Sequence, residues 1–280
     1  MVVSIGIECN KEDWRACLLE NGRTLELRPL HDPGSALEYI NQRCILYPEP
    51  IIAVSVSCPD HQTHDFLQTL EAVHFNTYKI PPINQLASVP RYRKQYRLDM
   101  GSSSTLCAVA ALAFRMRKLE ATWQEMRFLY LEAGYLSRSI VVVEDGRIVN
   151  GIGDTPAGYD ACQRGESSLC DRQDQSADET TAEQAYWEEL TEDLAGLLAI
   201  HHLEDIVVAG RRKDDVVERL EDRYQFYLFP HAEYEQQEFD ATIGAAIIAE
   251  GLYHPGRAAE VVERLQIPAI KPGGNIGNTR

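Results

Sequence analysis

The stretch IECNKEDWRACLLENGR, residues 7–23, recurs in altered form as LEAGYLSRSIVVVEDGR, residues 131–147. The spacing from the glutamate near the start to the glycine near the end is identical in the two copies. Each copy contains apolar runs separated by turn residues and ends at Asn-Gly or Asp-Gly. These dipeptides are typical of two-residue hairpin turns because they tolerate positive φ at both central positions. The sequence therefore predicts a duplicated β-hairpin.

The segments around each copy follow one plan. The first half predicts three strands, a helix, a buried strand and a second helix, at 2–9, 14–22, 23–30, 33–44, 51–58 and 64–74. The second half predicts the same series at 128–133, 139–144, 147–151, 178–202, 205–210 and 213–224. Apolar helices are predicted at 102–119 and 242–252 from their hydrophobic composition. Duplication of a βββαβα unit explains this order most simply.

This order predicts a domain division. Residues 1–100 form the first domain, 101–125 a connecting helix and 126–270 the second domain. Residues 160–181 are acidic, serine-rich and poor in large apolar side chains, which predicts a mobile insertion loop. Residues 271–280 read KPGGNIGNTR and predict a flexible tail.

Composition narrows the class of protein. The chain has 280 residues, 44% hydrophobic and 25% charged, enough for two cores of ordinary domain size. It contains no apolar run long enough for a membrane span and no leader-like start, so a cytoplasmic protein is expected. The net charge of −16 argues against nucleic acid or anionic lipid as main partners. Seven cysteines without a CxxC pair favour reduced core thiols over a metal site or disulfide framework.

Four motifs carry a resemblance to known proteins. They are LDMGSSSTLCAVAALAF (98–114), YLEAGYLSRSIVVVEDGRIVNGIGDT (130–155), IVVAGR (206–211) and GAAIIAEGL (244–252). With the duplicated halves, they resemble the sugar kinase, Hsp70 and actin superfamily. Over most of the chain they are similar to an uncharacterised archaeal and bacterial family described as predicted butyrate kinases. The resemblance implies two ribonuclease H-like α/β domains with a cleft between them, the actin-like ATPase fold.

The resemblance also implies a ligand. In such proteins ATP lies in the cleft, a hairpin turn of each half faces its phosphates, and carboxylates hold hydrated Mg²⁺. Carried over position by position, Glu8, Asn10 and Lys11 match the first phosphate turn. Glu132 and Gly134 match the second turn, and Gly210 with Arg211 matches the loop that closes on the adenosine. The implied metal residues are Glu8, Glu132 and Asp99.

The residues alone leave plainer interpretations open. Glu8 and Glu132 also fit polar strand ends beside a hairpin, and Gly134 and Gly210 also fit simple turn formers. Each therefore has a structural alternative to the site role.

The segment PRYRKQYRLD, residues 90–99, concentrates cations in an acidic chain. Phosphoryl transfer to a carboxylate needs cations more than a strong base, because the acceptor is already ionised. Arg91 or Arg93 is therefore a candidate anion clamp, and Asp99 a candidate acid-base residue. The alternative for the arginines is an amphipathic, solvated strand.

At two positions the sequence differs from the superfamily and from the closer family that it resembles. Glu8-Cys9-Asn10-Lys11 stands where the superfamily has Asp-x-Gly-Thr, and Ser104-Thr105 stands where the closer family tends to have Asp-Lys. The first hypothesis is an ATP-dependent phosphotransferase acting on a small carboxylate. The alternative is a catalytically degraded relative that acts as a binding or regulatory protein. The expected partners are a nucleotide and a small anion, and a homodimer is among the open oligomeric states.

Overall fold

The structure, a computed structural model, describes residues 3–10, 13–57, 60–73, 75–97, 99–134, 138–153, 179–231 and 237–272. Within these ranges the chain forms two five-stranded sheets with helices packed on both faces of each. This is the α/β architecture that the duplicated hairpin predicts. None of the helices in the described ranges is long and apolar enough to cross a membrane.

The first half of the chain builds one sheet. Its elements are β1 (Val3–Cys9), β2 (Trp14–Glu20), β3 (Arg23–Leu30), α1 (Pro33–Leu46), β4 (Ile51–Val56), α2 (His61–Ala72) and β5 (Thr77–Lys79). The strand order is β3-β2-β1-β4-β5. Strand β2 runs antiparallel to its neighbours β1 and β3, while β4 and β5 run parallel to β1. β1 lies at the centre, and all seven of its residues are buried.

The second half repeats this sheet. Its elements are β6 (Phe128–Ala133), β7 (Arg138–Glu144), β8 (Arg147–Ile152), α5 (Glu179–His201), β9 (Asp205–Ala209), α6 (Lys213–Leu220) and β10 (Gln225–Leu228). The order β8-β7-β6-β9-β10 and the strand directions match those of the first sheet. The predicted duplication of a ribonuclease H-like unit is confirmed. The sequence did not predict β5 and β10, because such short edge strands carry no clear alternation.

The central strands present different side chains to their two faces, because neighbouring residues in a strand point in opposite directions. Ile7 of β1 faces outward into the cluster formed with α1 and α2, and Leu131 of β6 faces outward into the cluster formed with α5 and α6. The next residue of each strand, Glu8 or Glu132, therefore faces inward. The two glutamates occupy equivalent positions near the carboxyl ends of equivalent strands.

Three helices fill the space between the two sheets, namely α4 (Ser103–Lys118), α7 (Asp240–Tyr253) and α8 (Arg257–Leu265). Their cluster includes Leu19 of the first sheet and Tyr130 of the second. Although α7 follows the second sheet in sequence, it packs on β1, β2 and β4 of the first. The domain boundaries at 1–100, 101–125 and 126–270 stay a prediction.

Close packing in this central layer depends on glycine. A Cβ atom on Gly244 of α7 would overlap the carbonyl group of Cys107 in α4. A Cβ atom on Gly6 of β1 would overlap the backbone of α7 at Thr242 and Ala246. Both obstacles are backbone atoms, which cannot move aside as a flexible side chain can.

The two predicted hairpin turns are confirmed. Both residues of Asn21-Gly22 have positive φ, 48° and 73°, and those of Asp145-Gly146 have 50° and 71°. The Gly22 amide donates to the Glu250 carboxylate over 2.8 Å, and the Gly146 amide donates to the Met126 carbonyl over 3.0 Å. Both turns lie at the opposite end of their sheets from the two inward glutamates. They therefore anchor the sheets and do not face the candidate site.

The solvated strand considered for residues 90–99 is wrong, because Arg91–Tyr96 forms helix α3. The Lys94 ammonium donates to the Leu86 carbonyl over 2.5 Å. The Arg97 guanidinium donates to the carbonyl of Gly151 in β8 over 3.3 Å. Lys94 thus binds the backbone that precedes α3, and Arg97 binds the second sheet.

Three further sequence expectations fall partly outside the described residues. Residues 160–178 of the predicted acidic loop are outside, and 179–181 begin α5. Residues 273–280 of the predicted tail are outside, whereas Lys271 donates to Asn76 over 3.0 Å. Four cysteines lie within the described ranges, where Cys9, Cys17 and Cys107 are buried and Cys44 is half-buried, and none of the four is in a disulfide there.

We predict that Gly244→Ala destabilises the protein while Gly196→Ala does not. Both replacements gain the same intrinsic helix propensity, about 1 kcal/mol. At Gly244 the added Cβ meets backbone, so we expect a net loss near the upper end of the roughly 1–3 kcal/mol typical of overpacking. At Gly196 in α5 the Cβ meets nothing within 4 Å. Urea unfolding followed by tryptophan fluorescence measures both, and equal effects would contradict the packing argument.

Candidate functional site

Glu8 is a buried carboxylate at the inner face of the first sheet, with 6% of its surface exposed. Its Oε2 atom accepts a hydrogen bond from the Thr242 hydroxyl of α7 over 3.0 Å. The Arg15 guanidinium on β2, its cross-strand partner, lies 3.6 Å from the same oxygen. Burial raises the pKa of Glu8, and the charge of Arg15 with hydrogen bonds from Thr242 and Ser104 partly opposes that rise.

Glu132 is the counterpart of Glu8 in the second sheet. It pairs with Ser139 of β7 and Ala209 of β9, as Glu8 pairs with Arg15 of β2 and Ser55 of β4. The Thr105 hydroxyl of α4 donates to the Glu132 Oε2 atom over 3.1 Å. Glu132 is only half-buried, so it remains in contact with solvent.

The first turn of α4 connects the two glutamates. Ser102 caps the helix by accepting from the Thr105 amide over 3.2 Å. Ser104 donates to Glu8 and shares a 2.6 Å hydrogen bond with the hydroxyl of Ser57, just after β4. Thr105, the next residue, donates to Glu132. The positive end of the α4 dipole therefore lies between two carboxylates contributed by different halves.

The start of α7 is held by a second buried acid. Asp240 accepts from His231 over 3.0 Å and from Arg115 over 3.5 Å. Burial raises its pKa, while His231 and Arg115 lower it in part. Because Thr242 is two residues further along the helix, these contacts also fix the hydroxyl that binds Glu8.

Asp99 lies just before α4, beside the end of β8. Its Oδ1 atom accepts from the Gly101 amide over 3.0 Å, and its carbonyl accepts from the Gly153 amide over 3.3 Å. A Cβ atom on Gly153 would overlap the Asp99 carboxylate. The absence of a side chain at residue 153 thus leaves the space that this carboxylate occupies. The acid-base and metal roles of Asp99 stay predictions.

The two predicted glycine contacts of the second half, Gly134 and Gly210, follow the strands β6 and β9. Gly134 directly follows β6. Gly210 has a φ of 94°, and a Cβ atom there would overlap the backbone of Ala133. The Arg212 amide donates to the Ala133 carbonyl over 3.0 Å. Packing and backbone conformation are therefore sufficient reasons for glycine at 210, next to Glu132.

The first turn and its opposite loop meet across the two halves. The Asn10 amide donates to the Asp13 carbonyl over 3.2 Å, which closes the turn between β1 and β2. Lys11 lies outside the described residues. The Arg211 guanidinium, after β9, lies 3.5 Å from the Asp13 carboxylate. Arg211 therefore reaches the first phosphate turn predicted from the sequence.

The two arginines proposed as an anion clamp, Arg91 and Arg93, lie in different surroundings. Arg93 contacts the Nε2 atom of His201 over 3.2 Å, and His201 Nδ1 lies 2.6 Å from Glu144. His201 is buried at the end of α5, so Arg93 and Glu144 are connected through a buried imidazole. Arg91 is exposed at the start of α3. Its clamp role stays a prediction.

Sequence reasoning missed several residues around the glutamates. Arg15 could have been predicted from the sequence, because pairing β1 with β2 around their turn places it opposite Glu8. Ser104 and Thr105 appeared only as neutral replacements of an Asp-Lys pair. Thr242 is 234 residues from Glu8 in sequence and carries no motif that would connect them.

The chain is similar to known proteins in part of its sequence and in its fold. A family model described as a protein of unknown function (DUF1464) matches residues 46–165. No curated protein sequence matches the chain. A Listeria monocytogenes protein, provisionally described as an N-acetylmannosamine kinase, superposes with a TM-score of 0.52 at 11% identity. The superposition covers 90% of this chain and 100% of that chain.

Two other kinases of known structure are similar over comparable lengths. An inorganic polyphosphate/ATP-glucomannokinase from Arthrobacter sp. strain KM has a TM-score of 0.48 at 17% identity, covering 91% of this chain and 100% of that chain. An acetate kinase from Entamoeba histolytica has a TM-score of 0.44 at 10% identity, covering 90% and 99%. With the strand order, the Listeria similarity confirms the predicted α/β fold of two ribonuclease H-like halves, the actin-like ATPase fold. The closer resemblance to predicted butyrate kinases stays a prediction.

The raised pKa of Glu8 predicts a pH-dependent effect of Glu8→Gln. The folded state favours protonated Glu8, so that stabilisation is fully present below the ordinary value of 4.5 and is lost as pH rises through the folded pKa. Gln carries no charge at any pH. The variant should therefore gain stability relative to the wild type as pH rises above about 4.5.

Thermal unfolding of both proteins over a range of pH measures this difference. Glu71→Gln, a change at an exposed glutamate of α2, is the control and should follow the wild type at every pH. A Glu8→Gln difference that stays constant with pH would contradict the burial argument.

Proposed function

We propose that the protein binds ATP with Mg²⁺ between its two halves and transfers phosphate to a small carboxylate. The observation that carries the proposal is the convergence of Glu8 and Glu132, from equivalent strands, on adjacent hydroxyls of one helix N-terminus. The fold supports a nucleotide cleft at this position. The carboxylate acceptor rests on the sequence resemblance to predicted butyrate kinases.

The start of α4 suits an anionic ligand near the two acids. Amide groups in the first turn of a helix lack helical acceptors, and the helix dipole favours negative charge there. Two carboxylates alone would repel phosphate. The α4 dipole and Arg15 offset that repulsion, since Arg15 lies 3.6 Å from Glu8. Gly134, Gly210 and Arg211 are the proposed nucleotide contacts of the second half.

The acids differ in how well they suit Mg²⁺. Glu132 is half-exposed and fits a role in holding a hydrated ion. Glu8 is buried and already bound by Thr242 and Arg15, so it fits a positioning role better. Within the described ranges no group of three or more His, Cys, Asp or Glu side chains is placed to hold a metal. Phosphate oxygens would therefore supply much of the coordination.

When bound, Mg²⁺ neutralises charge that develops on the transferring phosphoryl group. The protein's own residues have the task of orientation. The acceptor carboxylate is ionised near pH 7 and needs no strong base, so Asp99 is proposed to orient water or the acceptor. Closure of the two halves would exclude bulk water from the transfer.

We predict that Glu132→Gln weakens the Mg²⁺-dependent part of ATP binding by about tenfold or more, as loss of a residue supporting a metal does. Gln keeps an oxygen that can accept from Thr105, so the local fold should persist. Calorimetry with ATP, with and without Mg²⁺, measures the effect. Glu204→Gln, an exposed change before β9, is the matched control. An unchanged Mg²⁺ dependence would remove Glu132 from the site.

Turnover separates the proposal from the alternative of a degraded, regulatory relative. Acyl phosphate formed from ATP with acetate, propionate or butyrate can be trapped with hydroxylamine. Product from any member of the panel supports the carboxylate kinase. ATP binding without product from all three supports the degraded relative, and no ATP binding at millimolar concentration contradicts both the kinase and its nucleotide site.

A further inference from the structure

One carboxylate lies between two arginines from opposite halves. The Asp13 Oδ2 atom is 3.1 Å from Arg15 Nη2 and 3.5 Å from Arg211 Nη2. Asp13 belongs to the turn between β1 and β2, and Arg211 to the turn between β9 and α6. The contact therefore joins the two halves beside Glu8.

The two arginines differ in how far their side chains are exposed to solvent. Only 12% of the Arg15 side chain is exposed, and it also lies near Glu8, at 3.6 Å, and Glu238, at 3.9 Å. The Arg211 side chain is 53% exposed, and Asp13 is 43% exposed. Exposed ion pairs contribute little to stability, because water and salt screen them. Arg15 is thus a fixed cation, whereas Arg211 and Asp13 can exchange partners at little cost.

Of the two adjacent arginines after β9, Arg211 contacts the first half and Arg212 does not. Arg212 donates to Glu183 over 2.8 Å and to Asp215 over 3.0 Å. Its guanidinium also stacks on the rings of Tyr186 and Trp187 at 5.0 and 4.8 Å. These contacts hold the Arg212 side chain on the outer face of the second half. Arg211 instead extends toward the first half.

We propose that Arg15 and Arg211 form an anion site for the phosphate groups of the nucleotide, and that Asp13 occupies this site until phosphate displaces it. The proposal rests on the nucleotide binding proposed above. Guanidinium groups bind carboxylate and phosphate oxygens in similar geometries, so the Asp13 carboxylate stands in for a phosphate. A phosphate carrying more than one negative charge would bind two arginines better than a single carboxylate does.

Displacement also changes the local balance of charge. Arg15 lies near three carboxylates, those of Glu8, Asp13 and Glu238. When Asp13 moves away, phosphate meets less repulsion and gains Arg211 from the opposite half. The cleft would then be held by the ligand in place of the Asp13 contact.

The test is calorimetry with two probes, ATP and inorganic tripolyphosphate, which lacks a nucleoside. The proteins are the wild type, Asp13→Asn, Arg211→Gln and the double variant. Asp13→Asn should tighten both probes about three- to tenfold, the range expected when weak, exposed ion pairs stop competing. Arg211→Gln should weaken both about tenfold. In the double variant the gain from Asp13→Asn should be smaller but should persist, because Asp13 still contacts Arg15 over 3.1 Å when Arg211 is absent.

Asp222→Asn is the control for net charge, because Asp222 is an exposed aspartate in the turn after α6. It should leave both affinities within twofold of the wild type. A gain equal to that of Asp13→Asn would overturn the site, since it would reflect overall charge. Thermal unfolding of every variant shows whether an affinity change comes from loss of folding.

The outcomes separate the two proposals. If ATP binds the wild type and all variants equally, the nucleotide proposal stands and the Asp13 site is overturned. If tripolyphosphate shows the expected pattern and ATP does not bind, the anion site stands and the nucleotide function is overturned. If no variant binds either probe at millimolar concentration, both are overturned.

Discussion

The backbone contact between Gly244 of α7 and Cys107 of α4 brings together the helices that fill the space between the two sheets. Their amino-terminal turns carry the hydroxyls that bind the inward glutamates, Thr242 on α7 and Ser104 with Thr105 on α4. A wider helix spacing would separate these hydroxyls from at least one carboxylate. Packing in the core and geometry at the candidate site therefore depend on the same glycine contact.

The structure shows what the hydroxyls at the start of α4 do at the positions where the sequence differs from the family that it resembles. Ser104 and Thr105 stand where an Asp-Lys pair is expected from the resemblance, and they bind Glu8 and Glu132. A hydroxyl donates to a carboxylate without adding charge, so Ser104 and Thr105 give each glutamate a hydrogen bond without a formal ion pair. The positive potential near the two glutamates then comes from the dipole of α4 and from Arg15.

Local patterns predicted much of the fold. Asn21-Gly22 and Asp145-Gly146 mark hairpin turns through backbone conformation alone, and the equal spacing of the two copies pairs Glu8 with Glu132. Contacts distant in sequence were not predictable. Thr242 reaches Glu8 only because α7 crosses to the first sheet, and no local signal encodes that crossing. Alternating Arg and Tyr in α3 suggested a strand because a six-residue helix is too short to show its period.

The crossing of α7 also bears on how the chain acquires its structure. The inner face of the first sheet, including Leu19 and Ala53, is covered by a helix that begins only at Asp240. During synthesis from the amino terminus, that apolar face stays without α7 until residues 240–253 have emerged. The first half therefore cannot complete its core as an independent early unit. Its final packing is coupled to translation of the last helices, although its own strands are made first.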